Sequence, residues 1–242
     1  DTSLAASVLN TLDGNTSGTV NAGNVTTLTG SASDLIIAYA SGGISNLGNE
    51  AVSVSSGTAS TSQANTLAAA TSGVVTATLS DGDLSTLAGL TETGNAYSIT
   101  ITDTSVDAAA LNTLDGKTTV AINANNITTL TGAAADLNTA YAANGSSITG
   151  LGNESATLSD TTLAVSVLNT LDGNTSGTIN ASNITTLTSD DYDSLNTAYT
   201  SANGGSITGL GDEAISVSGR IRVSEANTLN GHTTGVITAT VT

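Results

Sequence analysis

The sequence predicts an α/β solenoid, with a parallel β-sheet on one side and short helices on the other. Three observations predict this fold class: internal repeats run through the chain, strand-like segments recur at short intervals, and helical stripes of apolar residues separate them. The strand-like segments lie 22–36 residues apart, which predicts about nine rungs. Such periods are typical of solenoids, in which each unit packs only on its neighbours.

Four short motifs recur in a fixed order. LNTLDG begins at Leu9, Leu111 and Leu168, and ITTLTG or a close variant follows each copy at a constant spacing, from Val25, Ile127 and Ile184. LNTAY or a relative follows, and GLGNE or GLGDE closes the long unit at Gly150–Glu154 and Gly209–Glu213, so that one full unit, such as Leu111–Val167, has about 57 residues. We expect one repeat domain over residues 1–242. Its parts are long units over about 1–55, 104–160 and 161–218, divergent short rungs over about 56–103, and a partial unit over 219–242.

The strand-like segments show a period of two. In the segment Val75–Leu79 the apolar residues alternate with Thr76 and Thr78, and Ile237–Val241 repeats the pattern. Alternation with β-branched residues predicts strands that are buried on one face. The predicted strands centre near Val20, Ser53, Thr76, Ile99, Ala121, Ala156, Ile179, Ile215 and Ile237.

Between the strands the apolar period becomes helical. Leu4, Val8 and Leu12 are spaced i, i+4, i+8, and the same stripe recurs from Val106 and from Leu163. Two signals delimit these helices. Asp103 and Asp160 are predicted to cap the helices that follow them, and Gly14, Gly116 and Gly173 are predicted to end them in the left-handed conformation.

The composition excludes several classes of protein. The chain has no Cys, only three basic residues and a net charge of −17, so disulfide scaffolds, thiolate metal sites and basic nucleic-acid surfaces are excluded. No apolar run approaches the roughly 18–20 residues of a membrane helix. We therefore expect neither a nucleic-acid partner nor membrane insertion. We also expect no enzyme activity, because the single histidine, His232, lies in a turn and no base is placed to activate a serine.

Recurring aspartates raise the question of calcium. Asp13, Asp115 and Asp172 recur in the last helical turn, where the helix dipole disfavours an anion and free carbonyl oxygens lie nearby. Asp81 and Asp83 of the SDGD segment are further candidate ligands. Two interpretations stay open: these five residues bind structural calcium, or Asp-Gly is simply favourable turn chemistry and no cofactor is present.

The cycle of LNTLDGNTSGT, NASNITTLTG, LNTAYA and GLGNE resembles known tandem repeats over essentially the whole chain, least over residues 51–104. These are the degenerate Thr/Ser/Gly/Asn-rich repeats of very large secreted or cell-surface, adhesin-like proteins of aquatic bacteria, particularly cyanobacteria. The passage from strand to helix is similar in plan to leucine-rich repeats. The resemblance implies an extracellular or cell-surface location and an adhesive or matrix role, and it offers no catalytic residues to carry over.

We therefore expect a non-enzymatic structural repeat segment of a large extracellular surface, adhesive or matrix protein. It would act as a semi-rigid acidic rod or filament subunit, and its partners would be neighbouring repeats of the same or identical chains, end to end. The alternative is a binding module. Its ligand would be structural calcium or, through outward Thr residues such as Thr76, Thr78, Thr238 and Thr240, an ice or mineral surface.

Overall fold

The computed structural model describes residues 1–242 and contains nine helices and eighteen strands. The helices are α1 Ala6–Gly14, α2 Ala32–Ala40, α3 Thr61–Ala70, α4 Leu84–Leu87, α5 Ala108–Asp115, α6 Ala134–Ala143, α7 Val165–Asn174, α8 Tyr192–Gly204 and α9 Val223–Asn230. The strands are β1 Ser3–Ala5, β2 Val20–Asn21, β3 Thr27–Ser31, β4 Ile44–Ser45, β5 Ala51–Ser56, β6 Val75–Thr78, β7 Ala96–Ser98, β8 Ser105–Asp107, β9 Ile122–Asn123, β10 Thr129–Gly132, β11 Ile148–Thr149, β12 Ser155–Leu158, β13 Thr162–Ala164, β14 Ile179–Asn180, β15 Thr186–Ser189, β16 Ile207–Thr208, β17 Ala214–Ile221 and β18 Ile237–Val241.

Every strand pairing is parallel, and helices connect the paired strands, so the predicted α/β class is confirmed. Parallel neighbours need a crossover connection, which the short helices supply. The sheets have the orders β1-β3-β5-β6-β7, β8-β10-β12-β14-β16, β13-β15-β17-β18, β2-β4 and β9-β11.

The core consists of apolar ladders that follow the sheet register. Leu4 pairs with Leu28, Leu28 with Val52, and Val52 with Val75. Two equivalent ladders run through Val106, Leu130, Ala156, Ile179 and Ile207 and through Leu163, Leu187, Ile215 and Ile237. Aliphatic residues stack in such register at the roughly 4.8 Å strand spacing, so the buried core needs few aromatic side chains.

The ITTLTG motif forms a strand that is not among the nine strands predicted from the sequence. β3, β10 and β15 lie on this motif, and the leucine at the centre of each is fully buried. The start of each predicted helical stripe is also extended, because Leu4, Val106 and Leu163 lie in β1, β8 and β13. Pairing with the strand of the next repeat outweighs the local helical period at these positions.

The predicted C-terminal glycines and the predicted N-terminal caps of these helices both need correction. Gly14 and Gly173 are the last-turn residues of α1 and α7, and neither they nor Gly116 has a positive φ. Asp103 and Asp160 do cap helices, but each caps the helix of the preceding repeat. The Leu84 N–H donates to Asp103 Oδ2 at 2.7 Å, and the Ala134 N–H donates to Asp160 Oδ2 at 2.7 Å.

The chain divides into two compact units. One comprises Asp1–Asp103, Thr113–Ala124 and Ser146–Thr149, and the other comprises Thr104–Asn112, Asn125–Gly145 and Gly150–Thr242. The single repeat domain over residues 1–242 stays a prediction. Among the nine helices, none combines the length and the apolar character needed to span a lipid bilayer.

Candidate functional sites: buried glutamates and predicted metal ligands

Three glutamates, one in each long unit, are buried in the loop before a strand. Glu50, Glu154 and Glu213 are at most 1% exposed. Backbone N–H groups of the preceding glycine-containing loop donate to each carboxylate: Gly48 to Glu50 at 3.0 Å, Gly152 to Glu154 at 2.8 Å and Gly211 to Glu213 at 2.7 Å. A buried charge is tolerated only with such partners, so the loop conformation and the glutamate depend on each other.

A tyrosine of the preceding helix lies against each of these carboxylates. The Tyr39 hydroxyl donates to Glu50 Oε1, and the Tyr199 hydroxyl donates to Glu213 Oε1. Burial raises the pKa of Tyr141 to about 12, and the charge of Glu154 contributes. Burial, together with the hydrogen bond to the glutamate, also raises the pKa of Tyr39 and of Tyr199. Tyr39 and Tyr199 therefore stay protonated and act as donors, whereas the Tyr141 hydroxyl and Glu154 Oε1 are buried without a hydrogen-bond partner.

A threonine from the next repeat completes each cluster. The hydroxyls of Thr71, Thr175 and Thr233 donate to the backbone carbonyl oxygens of Glu50, Glu154 and Glu213 at 2.6–2.7 Å. All three threonines are buried. Each cluster, which we call a Glu–Tyr–Thr cluster, therefore brings together a helix, a loop and the following repeat around a buried glutamate and a buried threonine.

The recurring aspartates of the LNTLDG motif are engaged with serines. Asp13 Oδ2 accepts from the Ser41 hydroxyl at 2.5 Å. Asp115 and Asp172 accept from the hydroxyls of Ser147 and Ser201, each at 2.7 Å. Each aspartate thus links the last turn of its helix to a serine 28–32 residues further along the chain.

The remaining predicted ligands cap helices. Asp81 Oδ2 accepts from the Thr61 N–H at 2.6 Å, at the first residue of α3. Asp83 is the N-cap of α4, where it accepts from the Ser85 hydroxyl and the Thr86 N–H, and these hydrogen bonds lower the pKa of its carboxyl. The structure brings together no group of three His, Cys, Asp or Glu side chains that could hold a metal ion.

Asparagines of the LNTL and ANTL segments connect consecutive helices. The side-chain amides of Asn10, Asn112 and Asn169 donate to the carbonyl oxygen of the third residue of the next helix, at 2.9–3.0 Å. Asn65 donates in the same way to Gly89, just after α4. The asparagine thus explains why this motif recurs: it satisfies a carbonyl group of the neighbouring helix at a spacing of 24–25 residues.

The other candidates have local partners. His232 stacks on Tyr199 with ring centroids 4.8 Å apart and ring planes nearly parallel. A polar depression of about 210 Å³ is lined by Asp190, Asp191 and several hydroxyl side chains. Its two aspartates accept from Ser218 and from Ser194 at 2.6 and 2.7 Å, respectively.

The predicted outward threonines are exposed, but their neighbours differ. Thr76 pairs in the sheet with Ser53 and Ala96, and Thr78 pairs with Ser98. Thr238 pairs with Ser216, and Thr240 pairs with Arg220. Ser53, Ser98 and Ser216 also carry hydroxyls, so the row of hydroxyl groups is interrupted at Ala96 and at Arg220.

Sequence reasoning did not find the Glu–Tyr–Thr clusters. The available signal was an isolated glutamate that directly precedes an apolar strand and recurs 11–14 residues after the helix tyrosine. A glutamate next to a Gly-Asn or Gly-Asp turn does not by itself indicate burial, because turns are usually solvated. Comparisons with protein families, with curated proteins and with solved structures find no match to this chain.

Proposed function

We propose that this chain is a non-enzymatic structural repeat segment of a large extracellular surface, adhesive or matrix protein. Its role is mechanical: the repeats stack as about nine rungs of a solenoid and form a semi-rigid acidic rod. The chain is acidic, with a net charge of −17, and it contains few Lys and Arg residues. The scarcity of these residues suits an extracellular role, because only Lys117, Arg220 and Arg222 offer cleavage sites to trypsin-like proteases.

One observation carries this proposal: the recurring polar side chains are used to join one repeat to the next. The asparagine amides reach the following helix, and the LNTLDG aspartates bind serines in the C-terminal part of that helix or just after it, so both contacts join successive helices of one long unit. Glu50 and Glu213 accept a tyrosine hydroxyl on the side chain and a threonine hydroxyl of the next repeat on the backbone carbonyl, and Glu154 accepts the threonine hydroxyl. In a site for chemistry or ligand binding, some of these groups would face an open cavity. Here their use in internal contacts supports a stacking role.

Calcium dependence tests this proposal against the binding alternative. The urea midpoint and sedimentation coefficient should be the same in millimolar calcium and in EGTA, at seawater-like salt. A calcium module would gain stability on binding, about 2.7 kcal/mol at a hundred-fold excess over Kd. A calcium-dependent rise of this size that is lost in the Asp115→Asn variant would contradict the passive role.

Surface labelling tests the proposed location. Antibodies raised against the folded chain should label intact cells of the source organism, or the matrix around them. Labelling that appears only after the cells are permeabilised would contradict an extracellular role. A non-permeant dye that reports on membrane integrity serves as the control.

A further inference from the structure

Asparagine followed by glycine occurs in the same loop of two long units. Asn144–Gly145 and Asn203–Gly204 each lie between the recurring helix tyrosine and the buried glutamate, in loops that read NGSSI and NGGSI. A third pair, Asn230–Gly231, belongs to the ANTLNG segment rather than to this loop. In an Asn-Gly pair the backbone nitrogen of glycine can attack the asparagine side chain, because no Cβ hinders the approach. Since the two loops have similar sequences, structure decides which pair reacts.

The side chain of Asn144 is held at both of its polar atoms. Its Nδ2 donates to the Leu151 carbonyl oxygen at 2.9 Å, and its Oδ1 accepts from the Leu151 N–H at 3.2 Å. The residue is half-buried at the C-cap of α6. The Asn144 Cγ can therefore approach the Gly145 nitrogen only after the side chain rotates and both hydrogen bonds break, which requires a local opening of the loop.

The side chain of Asn203 has no such restraint. It is exposed in the last turn of α8 and forms no hydrogen bond. The helix ends at Gly205, which has a φ of 89°. The Gly205 N–H donates to the Ala202 carbonyl oxygen and the Ser206 N–H to that of Ser201, both at 3.1 Å. Only this last turn has to open before Asn203 can react, and helix ends open at a low free energy.

We propose that Asn203 is a site of spontaneous deamidation and that its counterpart Asn144 is protected by its hydrogen bonds. The Gly204 nitrogen loses its proton to a base in solution and attacks the Cγ of Asn203. The new N–Cγ bond replaces the Cγ–Nδ2 bond, and Nδ2 leaves as ammonia after taking a proton from water. A water molecule then opens the succinimide ring at either carbonyl carbon, which gives aspartate or isoaspartate. The reaction consumes water alone and involves no change of oxidation state.

Either product weakens the end of α8. An aspartate places a negative charge at the C-terminus of the helix, where the helix dipole disfavours an anion. An isoaspartate adds one carbon to the backbone and moves Gly205 out of its capping position. Tyr199 lies one turn before Asn203 in the same helix, and its hydroxyl donates to the buried Glu213. Deamidation therefore destabilises the Glu–Tyr–Thr cluster of this unit, so that the fold carries a chemical limit on its lifetime.

Site-resolved mass spectrometry of the ageing protein tests the proposal. The folded chain and the chain in guanidinium chloride are kept at the same slightly alkaline pH, and the conversion of each asparagine to the acid is followed over time. In the folded chain Asn203 should react roughly ten-fold faster than Asn144, because the two hydrogen bonds of Asn144 lower the population of its reactive conformation. In denaturant the two residues should react at similar rates. An Asn144 that reacts as fast as Asn203 in the folded chain would overturn the proposal.

Gly204→Ala is the matched variant, because it keeps Asn203 and changes only the attacking residue. A Cβ at Gly204 meets no atom within 4 Å, so the variant should fold as the wild type does, which circular dichroism verifies. The added methyl group hinders the approach of the nitrogen to Cγ, and deamidation of Asn203 should slow by roughly ten-fold while that of Asn144 stays the same. An unchanged rate at Asn203 would show that this nitrogen is not the nucleophile and would overturn the proposal.

Urea unfolding of aged samples tests the consequence for the fold. Aged wild-type protein should have a lower urea midpoint than fresh protein, whereas aged Gly204→Ala should keep the midpoint of its own fresh sample. A wild-type midpoint that stays constant while Asn203 is converted would contradict the weakening of α8. The proposed structural role does not depend on this reaction, and its own tests, calcium-independent stability and surface labelling, are made on fresh protein.

Discussion

The Tyr199→Phe substitution tests the energetic role of the Glu–Tyr–Thr clusters. It removes one hydroxyl and retains the ring, so no cavity is formed and the change isolates the hydrogen bond to Glu213. Glu213 Oε2 keeps its N–H donors from Gly211 and Asp212, whereas Oε1 loses its donor in a residue that is 1% exposed.

The expected loss follows from the charge of the acceptor. A hydrogen bond to a charged group contributes about 1.5–3 kcal/mol, and we expect the free energy of unfolding to fall by that amount. For a chain of this size, each kcal/mol corresponds to about 2–4 °C, so the melting temperature should fall by roughly 3–12 °C. Urea unfolding followed by far-ultraviolet circular dichroism measures the change directly.

Tyr192→Phe provides the control within the same helix. The Tyr192 hydroxyl donates to Asn196 Oδ1 at 3.2 Å in a half-buried position, and a neutral hydrogen bond contributes only about 0.5–1.5 kcal/mol. Tyr199→Phe should therefore destabilise the protein more than Tyr192→Phe. Equal effects, or a stabilised Tyr199→Phe variant, would refute the assignment of the cluster as a stabilising contact.

Three further predictions follow from local geometry. Gly177→Ala should unfold or strongly destabilise the protein, because a Cβ at this position would overlap the backbone carbonyl of Glu154. A Cβ at Gly173 meets no atom, so Gly173→Ala should leave the free energy of unfolding unchanged or raise it by about 0.5–1 kcal/mol, as measured by urea titration. Asp160→Ala removes the cap of α6 and should cost about 0.5–2 kcal/mol, with faster amide exchange in the first turn of that helix; unchanged exchange would contradict the cap. The pKa of Tyr97 and of Tyr141 is raised to about 12 in the folded chain, so the stability that each contributes is present below pH 10 and is lost between pH 10 and 12. Absorbance at alkaline pH should show delayed tyrosinate formation followed by unfolding, and titration of every tyrosine near pH 10 would contradict this.

Sequence periodicity was sufficient for the α/β class and for the main elements. The predicted strands near Thr76 and Ile179 and the helices on the LNTLDG motifs are present. Both signals are local, because strand alternation and helical stripes depend only on which face of a segment is buried. The short strands on ITTLTG were missed because their extended conformation depends on pairing with another repeat.

The candidate sites were harder to predict, because their partners lie 11–32 residues away along the chain. Asp115 looks like a free carboxylate in a turn until the fold brings Ser147 to it. Asp160 precedes one helix in sequence yet caps another, since the helix of the preceding repeat lies closer to its carboxylate. A motif shows which residues recur, but only the packing of adjacent repeats shows which groups they bind.

The most direct test of the central claim, that stacked interchangeable repeats build this chain, is the removal of one complete unit. Deleting Leu111–Val167 takes out one full unit and joins Ala110 to Leu168, so that one LNTLDG motif replaces another in phase. In a repeat array stability depends on nearest-neighbour contacts. The shortened chain should therefore fold cooperatively and keep slow amide exchange at Leu28 and Leu187. Deleting Leu111–Asp160 instead breaks the phase and should abolish folding. An in-phase deletion that fails to fold, or one no more stable than the out-of-phase deletion, would contradict the account.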